Sequence, residues 1–365
     1  MEIEAILRRA VDCGASDIFV AAGLPLTFKI KGEQQRTGQP YTPADSGAFA
    51  AALYRLAGRE SYCVDGSRMD DDFSCSVSGI GRFRVNLFRQ RGTLAAVVRV
   101  IRFGLPKPEE FHIPPEIMAV KDCKKGLVLV TGQAGSGKTT TLACIVDAIN
   151  HSRSGHILTL EDPVEYIYTP DQCLINQREV GRDTMSFAAG LRAALREDPD
   201  VILVGEMRDL DTIQTALTAA ETGHLVFGTV HTNSAADSID RIVDVFPAER
   251  QQQIRLQLSM TLKAVLSQQL LPRAQGGGRV LACEVMKTDD AIRNLIREGK
   301  TPQIQNAIQT SGAIGNILMD RSLQNLYRSG AISRQTMEGA LRGGLPQTPP
   351  AGLQQGIGRP RGFTR

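Results

Sequence analysis

The most restrictive feature of this sequence is a glycine-rich loop between an apolar run and a helix-like run. Residues 126–131 read GLVLVT, and residues 140–149 carry apolar side chains at helical spacing, so the loop should join a strand to a helix. The GxxxxGKT spacing lets backbone N–H groups surround phosphate oxygens while the helix N-terminus faces the same anion. The pattern therefore predicts a nucleoside triphosphate site formed by Gly132, Gln133, Ala134, Gly135, Ser136, Gly137, Lys138, Thr139 and Thr140.

Two side chains of this loop have chemical roles that follow from the spacing. Lys138 is expected to reach the β- and γ-phosphates, and Thr139 is expected to place its hydroxyl on Mg²⁺. ATP and Mg²⁺ are therefore the predicted ligands. The alternative is a glycine-rich turn that binds nothing, and the strand before the loop and the helix after it disfavour that interpretation.

Length and composition restrict the remaining possibilities. With 365 residues, 42% hydrophobic and 22% charged, the chain is typical of a soluble globular protein with about two domains. A net charge of +3 is too small to indicate a nucleic-acid partner. The sequence has neither a signal-peptide pattern nor an apolar run near the ~18 residues that span a bilayer. Seven scattered cysteines without a CxxC pair favour reduced thiols in the cytoplasm over a zinc site.

The first hundred residues favour a small α+β domain built on an antiparallel sheet. Residues 2–13 have the pattern of an amphipathic helix, and a second helix is expected to begin after the cap-like Thr42. Proline-rich residues 104–115 form the predicted linker, which places the domain boundary after residue 103. The predicted strands, most of which alternate apolar and polar residues, are residues 18–21, 26–30, 73–77, 82–91 and 94–101.

The strand predicted over residues 82–91 places Arg or Asn on one face. A charged strand face is most often solvated or protects the edge of a sheet. The other interpretation is that one or more of these arginines reach a nucleotide held by a neighbouring subunit, as arginine fingers do in trans. The pattern alone leaves both interpretations open.

After the linker, strands and helices alternate, which favours a parallel sheet with crossover helices. Four apolar strands end in polar residues, and the carboxyl ends of parallel strands form one crevice. Glu206 is the first candidate for orienting or deprotonating the attacking water, and Glu161 is the second. His224 and His231 flank the last of these strands and are candidates for contacting the γ-phosphate.

Each candidate also has a structural alternative. Glu206 could simply pair with Arg208, because surface ion pairs are frequent. Glu161 could belong to an acidic, helix-capping turn with Asp162 and Glu165. The sequence between the acidic turn and Glu206 predicts an arginine-bearing helix over residues 184–197.

Four motifs in this order resemble those of the ATPases that drive type II secretion and type IV pili. They are the phosphate loop, the Asp box at residues 160–163, the Walker B segment that ends at Gly205-Glu206, and the His box over residues 222–233. The similarity covers residues 14 to about 340. A further segment resembles the motif of the family's retraction branch, which drives twitching motility: Ala291, Ile292, Arg293, Asn294, Leu295, Ile296, Arg297 and Glu298. Periodicity alone indicates only that this segment is an amphipathic surface helix.

The resemblance implies an α/β architecture with a PAS-like domain over residues 1–103 and a RecA-like P-loop ATPase domain over residues 116–342. It implies a homo-hexamer at the cytoplasmic face of the inner membrane, where ATP hydrolysis removes pilin from the fibre base. An inner-membrane pilus platform protein is the implied partner. The implied roles are catalysis for Glu161 and Glu206, nucleotide sensing for His224 and His231, and cross-domain phosphate contacts for Arg84 and Arg99. Residues 343–365, rich in Gly, Pro and Gln, predict a disordered tail.

The sequence departs from the family at two places and leaves other functions to be weighed. Phe19 replaces a frequent histidine, and Gln133-Ala134 replaces a frequent Pro-Thr, where binding uses backbone amides. An assembly or secretion ATPase is disfavoured because it would be expected to add an N-terminal domain and a tetracysteine loop. An accessory paralogue that assists a motor, and a nucleotide-gated scaffold without turnover, remain alternatives. A RecA-like nucleic-acid motor would be expected to have a basic stripe or aromatic stacking platform.

Overall fold

The computed structural model describes residues 3–342 apart from Lys31, Glu60, Ser61, Arg102 and Phe103. It contains a six-stranded and a seven-stranded sheet, which confirms the predicted mixed α/β class. We refer to residues 3–101 as the N-terminal unit and to residues 104–342 as the C-terminal unit. The tail predicted over residues 343–365 lies outside the described residues.

The N-terminal unit is an antiparallel sheet of strand order β3-β2-β1-β6-β5-β4, covered by helices. Thr42 caps the second helix, because its hydroxyl accepts from the Asp45 N–H at 3.2 Å while the Asp45 carboxylate accepts from the Thr42 N–H at 2.9 Å. This capping box confirms the predicted helix start. The elements are α1 (Ile3–Asp12), β1 (Ala15–Ala21), β2 (Pro25–Ile30), β3 (Glu33–Pro40), α2 (Pro43–Ala57), α3 (Tyr62–Asp65), β4 (Asp70–Val77), β5 (Gly81–Gln90) and β6 (Thr93–Ile101).

The C-terminal unit has strand order β13-β12-β7-β11-β10-β8-β9, and β13 alone among these described strands runs antiparallel to its neighbour. Its first elements are α4 (Pro115–Met118), β7 (Gly126–Thr131), α5 (Lys138–Asn150), β8 (Gly155–Glu161), β9 (Cys173–Glu179), α6 (Phe187–Ala194), β10 (Val201–Val204) and α7 (Leu210–Glu221). The remaining ones are β11 (Leu225–Val230), α8 (Ala235–Asp244), α9 (Ala248–Thr261), β12 (Leu262–Pro272), β13 (Arg279–Lys287), α10 (Asp290–Arg297), α11 (Ile304–Thr310), α12 (Met319–Arg328) and α13 (Arg334–Leu341).

The central strands of this sheet are apolar because both of their faces are covered. Every residue of β7 and β11 is buried, and separate apolar clusters lie on the two faces of the sheet. Since β7, β8, β10 and β11 are parallel, their carboxyl ends lie along one edge of the sheet and their amino ends along the other. We call these the carboxyl edge and the amino edge.

One predicted helix and the predicted linker differ from the observed elements. The helix predicted over residues 184–197 is shorter, because Ser186 caps it by accepting the Ala189 N–H at 3.1 Å and α6 ends at Ala194. The linker predicted over residues 104–115 leads directly into α4, which begins at Pro115. Among the described residues, none of the helices combines the length and apolar character needed to cross a bilayer.

The seven cysteines are all unpaired thiols. Cys13 is exposed and Cys123 is partly buried, whereas the other five lie in the interior. Burial raises the pKa of Cys75 to about 11 and that of Cys144 and Cys283 to about 12. No group of three His, Cys, Asp or Glu side chains in the described part of the chain is placed to hold a metal ion.

Candidate nucleotide-binding site

The predicted loop connects β7 to α5 at the carboxyl edge. Gly135 and Gly137 have φ values of 75° and 93°, a left-handed conformation that favours glycine. A Cβ on Gly132 would lie 2.4 Å from the carbonyl oxygen of Gln268 and 2.5 Å from the Ser136 hydroxyl. These glycines are therefore required by backbone conformation and by close packing against β12.

Lys138 lies at the first position of α5 and turns back toward the loop. Its Nζ donates to the carbonyl oxygens of Gly132 at 2.7 Å and Gln133 at 3.0 Å. Burial lowers the pKa of Lys138, and the nearby negative charge of Glu206 opposes that shift. The buried Ser136 hydroxyl has no hydrogen-bond partner among the described residues. A buried cation and an unused hydroxyl at a helix N-terminus fit an anionic phosphate.

A cavity of about 640 Å³ lies beside the loop, a size suited to a nucleotide. Its walls come from both units: Arg99 of β6 faces α5 and the β12–β13 hairpin. Sequence reasoning missed most of these walls, because the residues lie in the linker and in a hairpin more than a hundred positions after the loop. The missed lining residues with large side chains are Phe111, His112, Ile113, Leu270, Arg273, Arg279 and Leu281.

Arg84 and Arg99 differ in their surroundings, although both were predicted to contact phosphate. Arg99 lines the cavity, and its Nε lies 3.0 Å from the carboxylate of Asp17, its register partner on β1. Arg84 does not line the cavity and instead pairs with Asp72 at 2.7 Å. The hydrogen bonds that Arg84 donates to the Asp72 carboxylate raise the pKa of Arg84. Of these two arginines, only Arg99 therefore lines the phosphate loop's cavity within one chain.

Glu206 follows β10 at the carboxyl edge. Its Oε1 lies 2.7 Å from Nε2 of His231 and also pairs with Arg208. The negative charge of Glu206 partly offsets the lowering of the Lys138 pKa by burial, so the carboxylate lies near the loop lysine. The ion pair with Arg208 that was the structural alternative is present, and it coexists with a position suited to the predicted catalytic role.

Glu161, at the end of β8, is a buried carboxyl group. Burial raises its pKa, and hydrogen bonds from Thr159 at 2.7 Å and Gln177 at 3.3 Å partly offset that effect. The neighbouring strand β10 is followed by Gly205, where a Cβ would lie 3.0 Å from the Leu160 carbonyl oxygen. This close approach is a physical reason for glycine before Glu206.

The two histidines lie at opposite edges of the sheet. His231 follows β11 at the carboxyl edge, whereas His224 precedes β11 and its carbonyl accepts from the Gly126 N–H at the amino edge. The six residues of β11 separate them by roughly 20 Å, at about 3.3 Å per residue. His224 Nδ1 lies 2.9 Å from the carbonyl oxygen of Ala219. Within one chain, His224 therefore does not reach the phosphate loop.

The segment predicted as an amphipathic helix forms α10, which packs on α9. Ile292 and Ile296 are buried, and Leu295 packs partly buried against the same cluster. Arg293 flanks this buried face, with its side chain 33% exposed, and pairs with Asp290 at 2.8 Å. The start of β12 lies at the amino edge, because β12 is parallel to β7. Since β13 is antiparallel to β12, β13 ends at that edge, and α10, which follows β13, lies there too.

The fold and the loop define a P-loop nucleotide-binding protein of the α/β class. The family described as "Type II/IV secretion system protein" matches residues 2–348. The chain therefore belongs to the type II/IV secretion system protein family.

Individual relatives agree with this assignment. The chain is 48% identical over 335 residues to the type IV pilus retraction ATPase PilT of Pseudomonas aeruginosa, covering 92% of this chain and 96% of that one. It is 44% identical over 333 residues to a twitching motility protein of Neisseria gonorrhoeae, covering 91% and 88%. The crystal structure of the pilus retraction motor PilT with bound ADP superposes with a TM-score of 0.86 at 46% identity, covering 93% and 97%.

Proposed function

We propose that this chain is the subunit of a hexameric ATPase motor that powers type IV pilus retraction and thereby twitching motility. The observation that carries the proposal is the cavity that the phosphate loop shares with Arg99 of the N-terminal unit. A nucleotide in that cavity contacts both units, so hydrolysis and release can change their relative orientation. The names of the similar proteins, pilus retraction ATPase PilT and twitching motility protein, support pilus retraction as the purpose of that motion.

The proposal includes a domain assignment. Residues 1–103 form a PAS-like domain, residues 104–115 a linker and residues 116–342 a RecA-like ATPase domain. The helix-covered antiparallel sheet of the first unit and the parallel sheet with a phosphate loop of the second support these names.

The carboxyl edge supplies the parts that ATP hydrolysis needs. The loop amides and Lys138 hold the phosphates, and Thr139 binds Mg²⁺, which neutralises developing charge when bound. Glu206 takes a proton from the attacking water, and His231 orients Glu206 through their 2.7 Å contact. Glu161 acts beside them as the second catalytic carboxyl group. The buried, unpartnered Ser136 hydroxyl supports a phosphate ligand at this loop.

Two further predicted residues act across a subunit boundary in this proposal. Arg84 and His224 lie away from the cavity of their own chain. Their contacts with nucleotide are therefore assigned to a neighbouring subunit of the ring. A ring with sites between subunits makes hydrolysis depend on assembly, which a dilution series can test.

The output of the motor is assigned to α10 at the amino edge. We propose that its exposed face, which Arg293 flanks, transmits motion toward an inner-membrane platform protein at the cytoplasmic face of the membrane. A paralogous motor ATPase is a further candidate partner, since a type IV pilus ATPase named PilU is 37% identical over 334 residues.

The test is steady-state ATP hydrolysis by the purified full chain and by Glu206→Gln, with particle size recorded in the same samples. We expect a hexamer-sized wild type that hydrolyses ATP, and a variant that binds ATP, stays hexameric and loses about 100-fold or more in kcat. Glu221→Gln is the matched control, because Glu221 lies at the amino edge and contacts Gln257. A wild-type hexamer without turnover would contradict the motor and favour the accessory or scaffold function.

A further inference from the structure

A buried ion pair joins the two units away from the phosphate loop. Arg82 of β5 pairs with Glu179 at the end of β9, and their side chains are only 13% and 6% exposed. The Ser74 hydroxyl lies 2.6 and 2.8 Å from the two carboxylate oxygens of Glu179 and accepts from Arg82 Nη2 at 2.7 Å. Every one of these contacts except that between Ser74 and Arg82 crosses from one unit to the other.

The same pair holds the backbone that follows Glu161. Arg82 Nε donates to the carbonyl oxygen of Val164 at 2.8 Å, and the Val164 N–H donates to Glu179 at 3.1 Å. Both backbone polar groups of Val164 are therefore satisfied by the ion pair. The other end of the segment is also fixed by β9, because the Val180 N–H donates to the Glu161 carbonyl oxygen at 2.9 Å.

This arrangement determines what Arg82 can do. Its remaining nitrogen, Nη1, donates to the Ser76 hydroxyl at 3.0 Å, so every nitrogen of the guanidinium has a partner. Arg82 therefore uses its hydrogen bonds on Val164, Glu179 and nearby serines. It does not line the cavity, whereas Arg99 does. The sequence pattern had two interpretations, a solvated or edge-protecting strand face and a contact with a nucleotide in a neighbouring subunit. Neither of them includes an arginine that binds the backbone of the other unit.

Burial of an ion pair is weak evidence for stabilisation alone. Removing two charges from water costs several kcal/mol per ion, and an apolar pair of the same volume is often equally stable. Such a pair does favour one geometry, because its hydrogen bonds are satisfied only when all partners are correctly placed. Here that geometry includes the seating of the N-terminal unit on β9 and the path of the chain from Glu161 to Val164.

We propose that Arg82 and Glu179 are positioning residues for ATP hydrolysis, which fix the segment carrying Glu161 only when the N-terminal unit is seated on the C-terminal unit. The proposal rests on the proposed function, in which the nucleotide lies between the units. Movement of the N-terminal unit would free Val164 and loosen the Glu161 segment. Domain orientation and hydrolysis are thereby coupled without a contact between this pair and the nucleotide.

The first test compares Glu179→Gln with wild type at saturating ATP. We expect kcat to fall about tenfold, because small misplacements of catalytic groups lower rates strongly, while ADP affinity stays within about twofold. Amide hydrogen exchange at Val164 should accelerate about tenfold, since its acceptor is weakened. Arg178→Gln is the matched control: Arg178 precedes Glu179 on β9 but pairs with Glu197 inside the C-terminal unit. Its kcat and its Val164 exchange should match wild type.

The second test is a double-mutant cycle with Arg82→Gln. If Arg82 and Glu179 act together, the double variant that combines Arg82→Gln and Glu179→Gln should lose no more kcat than the worse single variant. Losses that multiply would overturn the proposal, as would full kcat in a folded hexamer of Glu179→Gln. Exchange in a peptide from β11 verifies folding, and Ser74→Ala provides a milder variant should a charge variant fail to fold.

Hydrogen exchange separates this proposal from the proposed function, because it does not require turnover. A wild type without ATP hydrolysis would overturn the motor function. In that case, faster exchange at Val164 in both single variants still supports the coupling of the segment to the N-terminal unit. Unchanged exchange at Val164 in those variants overturns it.

Discussion

The carboxyl edge and the amino edge of the seven-stranded sheet carry similar residue types in different circumstances. At the amino edge, the Asp200 carboxylate accepts from the His156 N–H at 2.8 Å, and His224 contacts the carbonyl of Ala219. At the carboxyl edge, Ser136 has a buried hydroxyl without a partner among the described residues, and Glu206 lies near Lys138. The difference between these groups is that the Asp200 carboxylate and His224 are hydrogen-bonded within the fold, whereas the Ser136 hydroxyl beside the phosphate loop retains capacity for a ligand.

The largest expected effect tests this comparison at the two ends of β7. Lys138→Ala removes the buried cation of the loop, and we expect ADP affinity to fall about 100-fold or more, the size of a lost charge-assisted contact. Lys125→Ala changes a lysine just before the same strand, beside a separate cavity at the amino edge. It should bind ADP like wild type. Titration with a fluorescent nucleotide measures both, and equal losses would remove the distinction between the edges.

A second contrast uses the two ends of β11. His231→Ala removes the 2.7 Å contact with Glu206, and we expect kcat to fall about tenfold with ADP affinity unchanged. His224→Ala should leave ADP affinity unchanged in a dilute, unassembled chain and reduce turnover only in the hexamer. Binding and turnover measured across a dilution series separate these effects. Weaker ADP binding by unassembled His224→Ala would contradict the assigned position.

Glu161→Gln should separate activity from stability. Because burial raises the pKa of Glu161 above its ordinary value of 4.5, the folded chain binds that proton more tightly than the unfolded chain does. Its contribution to stability is therefore fully present at low pH and is lost as pH rises through the raised pKa. The variant should melt a few degrees above wild type at pH 8, with a smaller difference at pH 5, while kcat falls. Thermal melts at both pH values measure this, and a lower melting temperature at pH 8 would contradict it.

The smallest expected effect on hydrolysis lies on α10. Arg293→Ala removes a partly exposed side chain whose partner, Asp290, is solvent-exposed, so we expect ATP turnover within about twofold and stability within about 0.5 kcal/mol of wild type. Pilus retraction should nevertheless be impaired, as measured by twitching in cells carrying the variant. Leu295→Ala is a less selective probe, because Leu295 packs against the core and its loss also lowers stability. Normal twitching by Arg293→Ala would remove the output role of this face.

Sequence reasoning located the loop and the strands that end near it because those signals are local. The buried strands β7, β8, β10 and β11 are mostly apolar runs; the phosphate loop follows β7 directly, and Glu206 follows β10 after one residue. The exposed strand β3 has no such signal, since nearly all of its residues are polar and solvent-facing. Strand β9 lies at the edge of its sheet and is only half-buried, so its pattern also resembles a loop.

The parts of the site that sequence reasoning missed depend on chain topology. Arg82 and Glu179 are 97 positions apart, and no periodicity connects a hairpin face with the end of an edge strand. His224 and His231 are close in sequence, yet the strand between them carries them to opposite edges. Proximity in the sequence therefore predicted the strand, loop and helix around Lys138 correctly and gave no information on which edge each histidine occupies.

The distribution of the cysteines has a practical consequence for chemical labelling. Burial raises the pKa of five of the seven thiols, which keeps them protonated and unreactive near neutral pH. Cys13, which directly follows α1, is the exposed one of the seven thiols. A maleimide dye should therefore attach first to the N-terminal unit of the unmodified chain. Motion of that unit during turnover can then be followed by fluorescence without replacing any native cysteine.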